Sequence, residues 1–151
     1  MKRYIKSAVA LMADQLPDMN PWEIEELAAD HRATAEDLWT IYRFAKSSSD
    51  SRIRNGCQFV LAKNPALPDN LLSILIDDDG FVGVQLSLLF NPKLPESDAA
   101  RIVRYNERWL DSWVGGENTD PLFLRRVLTY CKNPDLVQHL KEKLQKQGIE
   151  V

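Results

Sequence analysis

Apolar positions along this chain recur at intervals of three and four, as in helices that bury one face, and short polar corners separate the runs. Tyr4, Ile5, Ala8, Val9, Met12 and Leu16 predict a helix over residues 2–16, stopped by Pro17. Asn20-Pro21-Trp22-Glu23 has the marks of a helix start, with Asn as cap, Pro in the first turn and Glu placed to reach back. Ile24, Leu27 and Ala28 form its buried stripe. Thr34 and Asp37 make a second cap pair ahead of Leu38, Trp39, Ile41, Tyr42 and Ala45. Further helices are predicted over 51–62, from Pro68 to the acidic run Asp77-Asp78-Asp79-Gly80, over 97–110, from Asp120-Pro121 onward, and over 135–147. Residues 81–90 alternate like a strand at Val82, Val84, Leu86 and Leu88, yet also fit a helix at Phe81, Val84, Leu88 and Leu89.

One junction is written twice. Asn64-Pro65-Ala66-Leu67-Pro68 is echoed by Asn91-Pro92-Lys93-Leu94-Pro95, and residues 61–68 also lie over residues 27–34 at a constant offset of 34. An X-Pro pair ends one helix, and a Pro three residues later fixes φ for the start of the next, so each copy encodes a short corner. Recurrence at this period marks stacked helix pairs, and it selects helix for residues 81–90. Corners are expected at 30–34, 64–68, 91–95 and 133–136, which makes the chain all-α with about four irregular helix-pair repeats. A single helical-repeat domain over 1–151 is expected, with an N-terminal capping helix in 1–20, repeats over 21–134 and a C-terminal capping helix in 135–151. Its predicted core holds Leu27, Leu38, Ile41, Val60, Leu61, Leu71, Leu72, Leu75, Val84, Leu88, Leu89, Ile102, Leu124, Leu128, Leu140 and Leu144.

The stretch Asn64-Pro65-Ala66-Leu67-Pro68-Asp69-Asn70-Leu71-Leu72-Ser73-Ile74-Leu75, running through Asp79 to Asn91-Pro92-Lys93-Leu94-Pro95, resembles the variant leucine-rich repeat. That family is a bacterial, HEAT-like repeat pairing an α-helix with a second, often 3₁₀, helix. The resemblance is good over about residues 53–103, weak over 27–50 and 121–144, and absent over 1–20. It implies a short right-handed α-α superhelix, a solenoid without β-strands. Gly83 and Gln85 stand where the family usually has a small residue or Arg, which leaves a generic HEAT-like pairing open. Some relatives carry a cysteine-rich cluster segment ahead of the repeats, but nothing before Cys57 could supply those ligands.

At 151 residues, 44% hydrophobic and 27% charged, the composition is that of one ordinary globular domain. The net charge of −3 is too mild to argue for nucleic acid on charge alone. Cys57 and Cys131 are too few for a disulfide scaffold or a metal cage and lie in apolar stripes, so a reducing cytoplasm is the expected setting. The basic opening resembles that of a secretory signal, but Lys6 interrupts it and the apolar stretch beyond is short. No run approaches the roughly 20 apolar residues of a membrane span.

Candidate chemistry is sparse. Neither His31 nor His139 lies beside a Ser or Cys nucleophile, and both are expected on the surface. Asp77-Asp78-Asp79-Gly80 lacks the late Glu of a calcium loop and is expected to be a solvated helix end. With no phosphate loop, nucleophile elbow or paired Cys-x-x-Cys, the expectation is no enzyme, no cofactor and no metal. The informative stretch is 101–126, where Arg101, Arg104 and Arg108 fall at helical spacings on one face. Trp109 and Trp113 follow, and Arg125-Arg126 come after the Gly115-Gly116 break. Arg and Trp are the residues most enriched in binding hot spots, and Arg also pairs with phosphate. Arg101, Arg104, Arg108, Trp109, Trp113 and Arg125 are therefore the candidate partner-binding residues, with core anchoring as the competing role for the two tryptophans. The expected function is a protein-protein interaction module, of the kind found in bacterial or phage-encoded inhibitors, immunity proteins and adaptors. The alternative is a nucleic-acid-binding helical repeat that uses the same arginines.

Overall fold

A computed structural model describes residues 13–78, 82–115 and 120–148. Among these residues every regular element is helical. A 3₁₀ helix over Ala13–Asp18 precedes α1 (Pro21–Ala29), α2 (Ala35–Ser47), α3 (Ser51–Lys63) and α4 (Asp69–Asp77). Then come α5 (Val82–Leu88), α6 (Glu96–Tyr105), α7 (Glu107–Gly115), α8 (Pro121–Tyr130) and α9 (Pro134–Lys146). None of these helices is long and apolar enough to cross a membrane.

Local chemistry sets the helix starts. Asn20 and Glu23 form a reciprocal capping box, each side chain accepting from the other's backbone N–H at 3.0 Å, and Thr34 and Asp37 form the second at 3.1 and 3.4 Å. Asp50, Asp120 and Asn133 cap α3, α8 and α9. Pro68 and Pro95 stand at the cap positions of α4 and α6 with φ of −69° and −60°, values the pyrrolidine ring presets.

Three corners share one hydrogen-bond pattern. At Asp30, Asn64 and Asn91 the backbone N–H donates to the carbonyl three residues back, at 3.2, 3.0 and 2.9 Å. Each of their carbonyls accepts from the N–H three residues ahead, at 3.2, 3.1 and 3.1 Å. Each side-chain Oδ1 accepts from the N–H two residues ahead, at 2.9, 2.8 and 2.9 Å, the Asx turn that Asp and Asn favour. The helices leaving these corners are equivalent in register as well. Counted from Thr34, Pro68 and Pro95, the sets Leu38/Leu72/Ala99, Ile41/Leu75/Ile102 and Tyr42/Ile76/Val103 are all buried.

The chain divides into two compact units, Met1–Ser87 and Leu88–Val151. In the first, α3 packs against both α1 and α2, while α2 and α4 are tied by Trp39 Nε1 to Asn70 at 3.3 Å and by Lys46 to Asp78 at 3.1 Å. Gly83 of α5 meets α3 closely, since a Cβ there would fall 2.4 Å from the Phe59 ring. In the second unit α8 packs on α6 and α9, around Phe123, Leu124, Val127, Leu140 and Leu144.

Of the predicted core, Val60 and Leu128 are only half-buried, and the others are buried. Residues 82–88 are helical, as the repeat predicts. The predicted helix over 2–16 lies outside the described residues up to 12, and its end is a 3₁₀ helix that contains Pro17. The predicted helix over 97–110 is two helices that meet at buried Asn106, whose side-chain amide and backbone N–H both donate to the Ile102 carbonyl, at 2.9 and 3.1 Å. The corner expected at 133–136 sits at residues 131–133, since Asn133 caps α9 and Pro134 already opens that helix. The predicted turn at Asp79-Gly80, the side chain of Phe81 and the break at Gly116–Asn118 lie outside the described residues.

Candidate functional site

Arg101 and Arg104 project from α6, where they line a concavity of about 440 Å³ together with Ser97, Ala100 and Tyr105. Tyr105 is 74% exposed. The Arg101 guanidinium reaches Asp98, one turn earlier, at 3.4 Å. The Arg104 guanidinium has no hydrogen-bond or ion-pair partner among the described residues. Past Asn106 the chain continues into α7, where the Arg108 guanidinium lies 5.3 Å from the centre of the Trp109 ring, within cation–π range. Trp109 is 48% exposed. The break at Asn106 corrects one expectation: Arg108 belongs to a second helix and does not continue the stripe of Arg101 and Arg104 along a single one.

The other candidates separate by role. Trp113 is half-buried in an aromatic cluster, with ring centres 6.3 Å from Phe90 and 6.0 Å from Phe123. Phe90 and Phe123 themselves stack at 4.5 Å. Arg125 points outward from α8. Its neighbour Arg126 is buried and donates to the carbonyls of Leu89, Asn91 and Leu94 at 2.9, 2.8 and 2.9 Å. Arg126 also holds the Glu96 carboxylate at 2.9 Å. Sequence reasoning passed over its structural role, although the signal was present: Arg126 falls inside the apolar stripe of Phe123, Leu124 and Val127.

Glu96 accepts from the Tyr130 hydroxyl at 2.7 Å. That bond, with help from Arg126 and against partial burial, holds the carboxyl below its usual range. Glu107 at the start of α7 gathers the backbone N–H groups of Lys132 and Asn133 at 3.2 and 3.0 Å, and the Cys131 thiol at 3.4 Å. It thereby fixes the corner before α9. Both cysteines are buried free thiols. Burial, with Glu25 adding, pushes Cys57 up to about 12, and burial also raises Cys131, so neither has the thiolate character a nucleophile needs.

His31 and His139 are exposed, as expected. Asp78 of the acidic run finds a basic partner within the chain, Lys46. Among the described residues no group of three or more His, Cys, Asp or Glu side chains is placed to hold a metal ion. The chain matches no known protein family, no curated protein and no solved structure.

Proposed function

We propose that this chain is a short right-handed α-solenoid of the variant leucine-rich repeat kind, working in the cytoplasm as a module that grips one protein partner through α6 and α7. The repeated corner supports the solenoid part, because three junctions share their hydrogen bonds and the helices after them share buried positions.

The observation that carries the functional part is the pairing of large exposed aromatics with arginines on consecutive helices. Tyr105 stands beside Arg101 and Arg104 at the α6 concavity, and Trp109 beside Arg108 on α7. Side chains of this kind at a surface are those that dominate binding energy in protein interfaces. Trp113 and Arg126 are spent on packing, and Arg125 lies on the neighbouring α8 as a peripheral contact.

The test is capture of a binding protein with the tagged chain, compared with a double variant, Arg104→Glu with Trp109→Ala. A partner held by the first and lost by the second supports the reading. Retention on heparin or mixed DNA at low salt, with a steep fall as salt rises, would instead favour the nucleic-acid alternative.

A further inference from the structure

We propose that Asn55 is a site of spontaneous deamidation, reached when the first turns of α3 open. In this reaction the backbone nitrogen of the following residue attacks the asparagine side-chain carbonyl carbon. The new N–C bond closes a succinimide ring, and the side-chain nitrogen leaves as ammonia, carrying the proton of the attacking N–H. Water then opens the ring to aspartate or isoaspartate, with no other reactant.

Among the described asparagines only Asn55 suits this chemistry. Asn20, Asn64, Asn91 and Asn133 each precede a proline, whose nitrogen carries no hydrogen, so the ring cannot close through it. Asn70 and Asn106 precede Leu71 and Glu107, whose side chains crowd the attacking nitrogen. Both are also held by hydrogen bonds, Asn70 to the Trp39 indole and Asn106 to the Ile102 carbonyl. Asn55 precedes Gly56, is half-buried and has no side-chain hydrogen-bond partner among the described residues.

Packing accounts for the glycine. Gly56 faces α1, where a Cβ would fall 2.3 Å from Glu25 Oε2, the oxygen that Arg52 Nε holds at 3.3 Å. A larger residue at 56 would displace that carboxylate from its ion pair.

The folded helix slows the reaction, since its ladder engages the Gly56 N–H and helical ψ at Asn55 turns that nitrogen away from the side-chain carbon. Restraint is weakest at this end of α3. Ser51 and Arg52 are exposed, residues 53–56 are half-buried, and the buried stripe begins only at Cys57. Three local ties hold the start: Asp50 accepts from the Arg52 N–H at 2.9 Å, Arg52 pairs with Glu25, and Arg54 donates to the Ser48 carbonyl at 2.9 Å. Opening through Gly56 breaks these and leaves Cys57, Leu61 and Ala62 packed, so it requires much less than unfolding the unit. Isoaspartate routes the main chain through the side-chain carbon and adds an atom to the backbone. The ladder of α3 then cannot re-form in register where it meets α1.

The experiment incubates the folded chain in mildly alkaline buffer beside the urea-unfolded chain and quantifies each asparagine peptide over time by mass spectrometry. In the folded chain Asn55 is expected to convert ahead of the other described asparagines, and more slowly than in urea. Asp50→Ala removes the helix cap and is expected to speed conversion of the folded chain about fivefold. Arg52→Gln, which removes a different tie, is expected to act in the same direction. Gly56→Ala is expected to suppress conversion in the urea-unfolded chain, where folding plays no part. Asn55 left intact in the folded chain while the unfolded chain converts would overturn the proposal. Equal rates in the two states, rates unchanged by both Asp50→Ala and Arg52→Gln, or conversion undiminished by Gly56→Ala would each overturn it as well.

Discussion

The side-chain amide of Asn64 donates to the carbonyl of Asp30 at 3.0 Å, across 34 positions of sequence, the same offset at which residues 61–68 repeat residues 27–34. A second bond runs to the Ala28 carbonyl at 2.8 Å, and Asn64 Oδ1 accepts from Ala66 N–H at 2.8 Å. One buried side chain thus closes its own corner and ties it to the corner one repeat earlier. Asn64→Leu leaves the Ala28 carbonyl and the Ala66 N–H without this partner and takes one of two donors from the Asp30 carbonyl, which keeps Ala33 N–H at 3.2 Å, at a cost of roughly 1–3 kcal/mol in a urea titration. Asn64→Asp sets a charge against both carbonyls and is expected to cost more. Equal midpoints for the wild type and both variants would mean that the tie contributes nothing.

Arg126 does comparable work in the second unit, where its guanidinium serves the carbonyls of Leu89, Asn91 and Leu94. Arg126→Met keeps much of the volume but takes this donor from the Leu89 and Leu94 carbonyls, while the Asn91 carbonyl keeps Leu94 N–H at 3.1 Å, and a loss of at least about 2 kcal/mol is expected from the lost bonds. Arg125→Met, one residue away and exposed, is expected to change stability by less than about 0.5 kcal/mol. Similar losses for the two would contradict the assignment of Arg126 to structure.

A pH dependence follows from Glu96. The Tyr130 hydroxyl and Arg126 favour its ionised form in the folded chain, so its folded value lies below the ordinary 4.5. The stabilisation is therefore fully present above about pH 4.5 and is lost as pH falls through the depressed value. Because the Glu96 side chain is 58% exposed, solvent screening keeps the effect modest. Glu96→Gln and Tyr130→Phe are each expected to lower stability at pH 7 and flatten its fall below pH 4.5. Unchanged acid limbs in thermal melts would refute this.

The two tryptophans separate in the same kind of assay. Trp113→Ala removes a ring from the cluster with Phe90 and Phe123 and is expected to cost about 2–4 kcal/mol. Trp109→Ala, on an exposed ring, should cost less than about 1 kcal/mol. The reverse order would move Trp109 into the core and away from any partner.

Corners and helices were legible because their signals are local: a Pro fixes φ, an Asn or Asp caps, and an apolar stripe needs only its own spacing. The break at Asn106 was not, since an Asn in a helical pattern reveals its backbone bond only once it is buried. The corner before α9 was misplaced because Asn133-Pro134 looks like Asn64-Pro65 and Asn91-Pro92, although here the Asn caps the following helix. Among the candidate site residues, the outward positions of Arg101 and Arg104 on α6 followed from spacing, whereas the break at Asn106 carries Arg108 onto α7. The division of Trp109 from Trp113, and of Arg125 from Arg126, depended on neighbours far along the chain.

The most direct measurement of the central claim is the affinity of a captured partner for the wild-type chain, for Arg104→Glu and for Arg108→Glu, each paired with a thermal melt. The account predicts melting temperatures close to the wild type and affinity reduced by about 1–2 kcal/mol, roughly five- to thirtyfold, for each variant. Wild-type affinity in both variants would contradict it.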